Sequence, residues 1–240
     1  MDYGIIDLNI VPVRKKNNAK SEMINQLFFG ESITIIKTKE KWSFVSSNID
    51  NYQGWIRNLH FKLIKKNEYK ILSENDSLFS KSEIIIKNDA CEITIPTGSL
   101  ISSIKFLNYY YTNEVGSKSL LETIKSFINS PYLWGGKTKY GMDCSGLIQT
   151  IFKTLNIILP RDAKEQSDVG AEIEEGYKLG DLAFFGKNLN NITHVGIFVD
   201  NETVVHAYGR VRMDKINNEG IYNNEEKRVT HFLQKVNRII

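Results

Sequence analysis

The run Pro131-Tyr132-Leu133-Trp134-Gly135-Gly136, followed after a short loop by Met142-Asp143-Cys144-Ser145-Gly146-Leu147, decides how the chain is read. Downstream of Cys144 the apolar residues are Leu147, Ile148, Ile151, Phe152 and Leu155. They recur at the three- and four-residue spacing of one helical face. The spacing predicts an amphipathic helix that opens at Cys144 and turns the cysteine toward the core. The first turn of a helix carries unpaired N–H groups and the positive end of the peptide dipole, and both favour a thiolate over a thiol. An unperturbed cysteine, near pKa ~8.5, is only a few per cent ionised at neutral pH, so such a site raises the reactive fraction more than about tenfold.

Outward from this helix the punctuation is regular. Gly135-Gly136 permits a turn and a close backbone approach, and Gly141 does the same just before the cysteine. Ser119 to Ile128 has helical spacing through Leu120, Leu121, Ile124, Phe127 and Ile128. Leu159-Pro160-Arg161-Asp162-Ala163 reads as a helix stop and a new start, with Asp162 a candidate N-cap. Leu179-Gly180-Asp181-Leu182-Ala183-Phe184-Phe185-Gly186 reads as a turn followed by a buried strand.

His194 opens the strand His194-Val195-Gly196-Ile197-Phe198-Val199, Asp200-Asn201-Glu202 turns the chain, and Thr203-Val204-Val205-His206-Ala207 returns. A hairpin centred on Asp200 sets His194 directly opposite His206. A register shifted by two leaves them diagonal neighbours on one face, about 7–8 Å apart. In either case one imidazole can orient the other. Nucleophilic catalysis asks for a nucleophile, a base and an orienting group, and Cys144, His194 and His206 supply them. His60 and His231 have no such partner and are read as structural or solvent-exposed. Two histidines and one cysteine do not make a zinc site, and the chemistry needs no cofactor.

The chain has 240 residues, 41% hydrophobic and 25% charged, with a formal net charge of +3. That is ordinary for a globular protein, and its Lys and Arg are scattered, so composition gives no argument for nucleic acid. Cys91 and Cys144 are too few for a disulfide framework, and Cys91 is expected as a small buried hydrophobe. No apolar run approaches the ~18 residues of a membrane span. The N-terminus, Met1-Asp2-Tyr3-Gly4-Ile5-Ile6-Asp7, lacks the basic and apolar regions of a secretory signal, so a cytoplasmic location is expected, with a periplasmic one as the alternative.

Residues 1–62 are rich in short strands: Ile10-Val11-Pro12-Val13, the β-branched run after Ser32, Trp42 to Val45 and Gly54-Trp55-Ile56. Strands at this spacing predict a small barrel, with Trp42 and Trp55 in its core. With Gln26-Leu27-Phe28-Phe29-Gly30-Glu31 and Tyr52-Gln53-Gly54-Trp55-Ile56, the segment resembles a bacterial SH3-like domain. Residues 63–113 carry a weaker set of strands at Ile84-Ile85-Ile86, Ile93-Thr94-Ile95 and Leu100-Ile101, expected as a second SH3-like barrel. Tyr109-Tyr110-Tyr111 is either an interdomain contact or an edge strand. Glu114 to Gly116 reads as a linker.

Taken together, Tyr132-Leu133-Trp134-Gly135-Gly136, Asp143-Cys144-Ser145-Gly146, Leu159-Pro160-Arg161-Asp162, Gly180-Asp181-Leu182, His194-Val195-Gly196-Ile197 and His206-Ala207 resemble the NlpC/p60 family of cell-wall cysteine peptidases. The resemblance implies an α+β chain with a papain-like catalytic domain over residues 116–240, preceded by two small SH3-like β-barrels. That arrangement is similar to the γ-D-glutamyl-L-diamino acid endopeptidases of the family. It implies a murein peptide substrate, L-Ala-γ-D-Glu-diamino acid, cut before the diamino acid, and in some relatives a demand for a free N-terminal L-alanine.

On this resemblance Asp143 either meets the substrate ammonium through a charge-assisted hydrogen bond or caps the cysteine helix. Tyr52 and Glu22 of the first barrel are expected against the same ammonium, Trp134 lines the pocket, and Ser145 either bonds substrate or starts the helix. Asp162 belongs with the substrate-binding residues. The oxyanion is expected on the Cys144 amide and the Tyr132 hydroxyl. Ala163 stands where relatives often carry serine, and Tyr208 where a smaller residue is common.

Overall fold

The computed structural model describes residues 1–74, 77–112, 116 and 118–240. They divide into two compact units, Met1–Lys118 with Phe152–Ile158, and Ser119–Ile151 with Leu159–Ile240. The linker expected over 114–116 lies outside the described residues apart from Gly116.

In the first unit, strands β1 (Asp2–Ile5), β2 (Ile10–Arg14), β3 (Met23–Phe28), β4 (Ser32–Lys39), β5 (Trp42–Ser47), β6 (Gln53–Arg57) and β7 (Lys62–Ile64) form one antiparallel sheet in the order β3-β2-β6-β5-β4-β1-β7. Alternate residues of these strands face inward, so Ile6, Val11, Val13, Leu27, Ile33, Ile35, Val45 and Ile56 pack as its core. Trp42 is buried, as expected, but Trp55 is only partly so. Its ring lies 5.4 Å from Phe44, with Lys37 Nζ 5.6 Å from its centroid, which places it on the outer face of the sheet rather than in the core.

The boundary expected at residue 62 falls inside β7, which pairs with β1. Helix α1 (Lys66–Glu74) follows, then β8 (Ile84–Lys87), β9 (Glu92–Ile95) and β10 (Tyr110–Tyr111), in the order β10-β8-β9. Among the described residues this is a three-stranded sheet, where a second barrel was expected. Its Ile84, Ile86 and Ile95 pack in one cluster with Ile5 of β1 and Phe29, just past the end of β3, so it shares a core with the first sheet. Tyr110 and Tyr111 form the edge strand, both exposed. Cys91 is exposed, not buried. It sits on the turn between β8 and β9, where Asn88 Oδ1 accepts from the Ala90 and Cys91 amides.

In the second unit α2 (Leu120–Lys125) is shorter than its apolar spacing predicts. A capping box fixes its start: the Glu122 amide donates to Ser119 Oγ and the Ser119 amide to Glu122 Oε2. After β11 (Lys137–Thr138) and β12 (Gly141–Met142), helix α3 (Cys144–Lys153) begins at the cysteine itself, and α4 (Ala163–Gln166) follows. Every residue of α3 is buried, so its polar face does not meet water as an amphipathic helix would. Buried hydrogen bonds replace the water: Gln149 Nε2 donates to the Leu159 carbonyl, Lys137 Nζ to Gln149 Oε1, and Thr150 Oγ1 to the Lys137 carbonyl.

Strands β13 (Ala171–Ile173), β14 (Leu182–Asn188), β15 (Asn191–Phe198), β16 (Thr203–Tyr208), β17 (Arg210–Ile216), β18 (Gly220–Asn223) and β19 (Arg228–Arg238) make the second sheet, ordered β13-β19-β14-β15-β16-β17-β18. The long β19 pairs with β14 through its second half and with β18 through its first, so the ladder returns on itself.

The glycines flanking Cys144 permit close packing of the loop on the helix. A Cβ on Gly146 would lie 2.3 Å from the Gly136 carbonyl oxygen and 2.8 Å from Asp143 Oδ1. Gly146→Ala is therefore expected to destabilise the protein by about 1–3 kcal/mol through overpacking, read as a lower urea midpoint at unchanged m-value.

Candidate active site

The loop Pro131–Gly136 is laid against β12 by backbone hydrogen bonds. The Leu133 amide donates to the Met142 carbonyl, the Met142 amide to Pro131, and the Asp143 amide to Gly136. This delivers Asp143 to the N-cap of α3. Its Oδ1 accepts from the Gly146 amide at 2.7 Å and from Ser145 Oγ at 3.4 Å. Its Oδ2 accepts from the Gly135 amide at 2.8 Å and from Arg161 Nη2 at 2.5 Å. Of the two roles open to Asp143, the cap is the one seen here. The carboxylate carries four donors and an ion pair 2% and 5% exposed, so an ammonium would have to displace one of them. Ser145 Oγ is likewise engaged inward, accepting from Arg161 Nη1 at 2.8 Å.

Strand β15 carries His194 and β16 carries His206. Their register pairs Gly196 with His206, so the shifted alternative holds and His194 lies diagonal to His206 on the same face. The cause is the turn: the Val199 amide donates to the Thr203 carbonyl at 3.0 Å, which centres the hairpin on Asn201 rather than on Asp200. The rings nevertheless meet, with His194 Nε2 2.8 Å from His206 Nδ1. His206 Nε2 lies 2.9 Å from Asp214 Oδ2 on β17. Arg212, directly opposite His206, donates to both carboxylate oxygens of Asp214.

These contacts fix the protons. An ionised carboxylate only accepts, so His206 carries its proton on Nε2 and leaves Nδ1 bare. Nδ1 must then accept from His194 Nε2–H, and the bare nitrogen of His194 is Nδ1. The side-chain order Asp214–His206–His194 thus ends in a general base. The Cys144 sulfur accepts from the backbone N–H of Val195, the residue next to His194.

Burial dominates the electrostatics. It pushes the Cys144 thiol up to about 11, aided by the Asp143 charge and opposed by the Val195 and Ser145 amides and Arg161. The pull of the helix start toward a thiolate is therefore opposed by desolvation, which favours the thiol. Burial, then the neighbouring His206 and His231, holds His194 well below the usual imidazole range. Burial also lowers His206 against the raising effect of Asp214. Asp214 is itself raised by burial but ends below the carboxylate range because His206 and Arg212 hydrogen-bond its charged form.

His231, read from sequence as having no partner, stacks on His194 with ring centroids 4.1 Å apart, and burial lowers it from 6.5 to about 4. A histidine lowered on folding binds fewer protons than in the unfolded chain, so its contribution is intact above about 6.5 and is lost as pH falls toward the folded value. Thermal stability is expected to drop between pH 6.5 and 4, less steeply in His231→Phe, as read by melting curves across that window.

A family model for the NlpC/P60 family matches residues 129–230, and one for the bacterial dipeptidyl-peptidase SH3 domain matches residues 13–60. The chain carries an NlpC/P60 domain. It is 27% identical over 214 residues to the γ-D-glutamyl-L-lysine dipeptidyl-peptidase of Bacillus subtilis, covering 76% of this chain and 71% of that protein. The Bacillus cereus protein of the same name is 25% identical over 226 residues, covering 78% and 68%. A crystal structure of an NlpC/P60 family protein from Bacillus cereus superposes with a TM-score of 0.74 at 17% identity, over 99% of each chain. Residues 129–230 thus carry the NlpC/P60 match on a papain-like fold, and residues 13–60 the SH3-like match.

Within the NlpC/P60 domain, Tyr132 is 38% exposed and paired with Met142 through a backbone bridge. Burial and the charges of Cys144 and Asp143 push its hydroxyl up to about 12, so it stays a donor beside the sulfur. Trp134 is exposed. Asp162 occupies the N-cap of α4 by its backbone but makes no side-chain cap, a departure from the capping expected of it. In the first unit Glu22 pairs with Lys15 at 2.9 Å, and Tyr52 is half-buried, its amide donating to Asp50 Oδ1.

Sequence reasoning missed Arg161, Asp214 and His231. Asp214 was within reach: a hairpin centred on Gly209 places Arg212 opposite His206 and Asp214 two residues on, on the same face. Nothing local marks His231, which arrives from β19.

Proposed function

We propose that the protein is a cysteine endopeptidase that hydrolyses the γ-D-glutamyl–diamino acid bond of free murein peptides bearing an N-terminal L-alanine, and so serves peptide recycling in the cytoplasm. The observation that carries the chemistry is the hydrogen-bonded series Asp214–His206–His194, which ends next to Val195, whose N–H donates to the Cys144 sulfur. The substrate class is supported by the likeness to two dipeptidyl-peptidases over 76% and 78% of the chain.

His194 Nδ1 takes the thiol proton as the sulfur attacks the γ-carbonyl of D-glutamate. The tetrahedral oxyanion is met by the Cys144 amide and the Tyr132 hydroxyl, each worth about 10²–10³ in rate. His194 then protonates the leaving amine of the diamino acid. Water, deprotonated by the same nitrogen, cleaves the thioester. Asp214 stabilises the transient positive charge through His206 without taking a proton. Asp143 takes the role of partner to the substrate's ammonium only by yielding a present donor.

The test compares free L-Ala-γ-D-Glu-diamino acid with purified sacculi. Release of the diamino acid from the tripeptide, with intact sacculi left undigested, is expected. Digestion of sacculi without tripeptide cleavage would contradict the recycling role.

A further inference from the structure

His231 has no place in the reaction, yet it brings a third imidazole to the active-site histidines. Among the described residues, His194, His206 and His231 place one ligand nitrogen each within 4.8 Å of one another. They come from β15, β16 and β19, and His206 stands edge-on to His231 with centroids 5.3 Å apart. We propose that these three histidines bind a divalent transition-metal ion of the zinc class, which replaces the proton shared by His194 and His206 and switches the peptidase off.

Binding asks the three rings to adjust: the close pair parts, and the widest pair, within 4.8 Å, closes by up to about 1.5 Å. Two nitrogens on a tetrahedral zinc, each bonded at about 2.0–2.1 Å, stand roughly 3.3 Å apart. His194 Nε2 and His206 Nδ1 are now 2.8 Å apart, so an opening of about half an ångström admits the ion between them. The supporting contacts are those that metal-binding imidazoles use. Asp214 holds the far nitrogen of His206, fixing the tautomer that offers Nδ1 to a metal. Thr230 Oγ1 lies 2.9 Å from His231 Nδ1, leaving Nε2 as that ring's ligand atom. Three histidines with a fourth position for water form a complete zinc coordination set. His194 and His206 are buried, while His231 is part-exposed and gives the ion its way in. Arg212 offsets part of the Asp214 charge, so binding is weaker than at a structural zinc site.

The proton balance explains the inhibition, which rests on the proposed peptidase chemistry. When the metal takes the lone pair at His194 Nε2, the proton there moves through solvent to Nδ1 of the same ring. No proton is gained or lost, but Nδ1 is the nitrogen that must be bare to accept the thiol proton. The base is therefore blocked without any ligand from Cys144.

The test uses the full chain carrying Cys91→Ser and Cys144→Ala, so that neither thiol binds metal. Zinc is titrated in competition with a chromophoric chelator. One equivalent is expected to bind, with affinity at least tenfold weaker in an added His231→Phe, a variant that keeps a ring against His194. No binding, or equal affinity in the two proteins, overturns the site. In a second arm the enzyme with both cysteines in place cleaves the tripeptide with and without zinc. Inhibition reversed by a chelator is expected, at a zinc concentration that rises at least tenfold in His231→Phe relative to that variant's own activity. Zinc bound without inhibition of an active enzyme overturns the switch. An enzyme inactive on tripeptide without zinc contradicts the proposed function instead, and the chelator competition still decides the site.

Discussion

Alanine at Cys144 is expected to lower kcat/KM for the tripeptide by about 10⁴–10⁶-fold, because the sulfur forms the covalent intermediate and nothing nearby can replace it. Tripeptide affinity should change little, since binding does not use the sulfur's lone pair. His194→Ala should cost about as much, and the double variant little more than either single one, because nucleophile and base act as a unit. The fold should tolerate Cys144→Ala. The side chain is small, and the polar bonds that anchor the start of α3 come from Asp143 rather than from the sulfur. Steady-state kinetics together with tripeptide affinity measured by calorimetry check both halves of the expectation.

Asp214→Asn is the second large effect, about 10²–10⁴-fold in kcat with KM nearly unchanged. The carboxylate holds the His206 proton on Nε2, which leaves Nδ1 to accept from His194 and His194 Nδ1 free to act as base. An amide at 214 has one acceptor oxygen where Arg212 and His206 together present three donors. If the amide N–H₂ turns toward His206, the imidazole must reverse its tautomer, and two donors then face each other between the histidines. A triad carboxylate replaced by its amide shows losses of this size while leaving the geometry intact. A role limited to folding would instead lower thermal stability with kcat per folded molecule preserved. Kinetics normalised to active-site titre separate these outcomes.

The parts of the site that were legible in sequence are the local ones. The apolar spacing after Cys144 reports a helix because the repeat is internal to the segment, and α3 starts at that residue. The two histidines on one hairpin are legible because antiparallel pairing keeps residues of one parity on one face, whatever the register. The register itself depended on turn hydrogen bonds that residue types alone do not fix. Burial was the least visible property. It opposes the helix terminus at Cys144, encloses the polar face of α3, and leaves Cys91 outside on a turn. The ion pair of Arg161 with Asp143 and the stacking of His231 on His194 join residues far apart in the chain, and no periodicity carries that information. The second barrel was inferred from strand spacing, which does not reveal that the segment packs with Ile5 and Phe29.

The central claim is that Cys144 is the acyl-accepting nucleophile, driven by an imidazole whose free nitrogen is set from Asp214. Its most direct test is intact-protein and peptide mass spectrometry of enzyme mixed with L-Ala-γ-D-Glu-diamino acid and quenched in acid within the first turnover. An L-alanyl-γ-D-glutamyl thioester on Cys144 is predicted, with one equivalent of diamino acid released, and no adduct in His194→Ala. Release of diamino acid with no acyl group on Cys144, or an adduct that forms equally fast without His194, would contradict it.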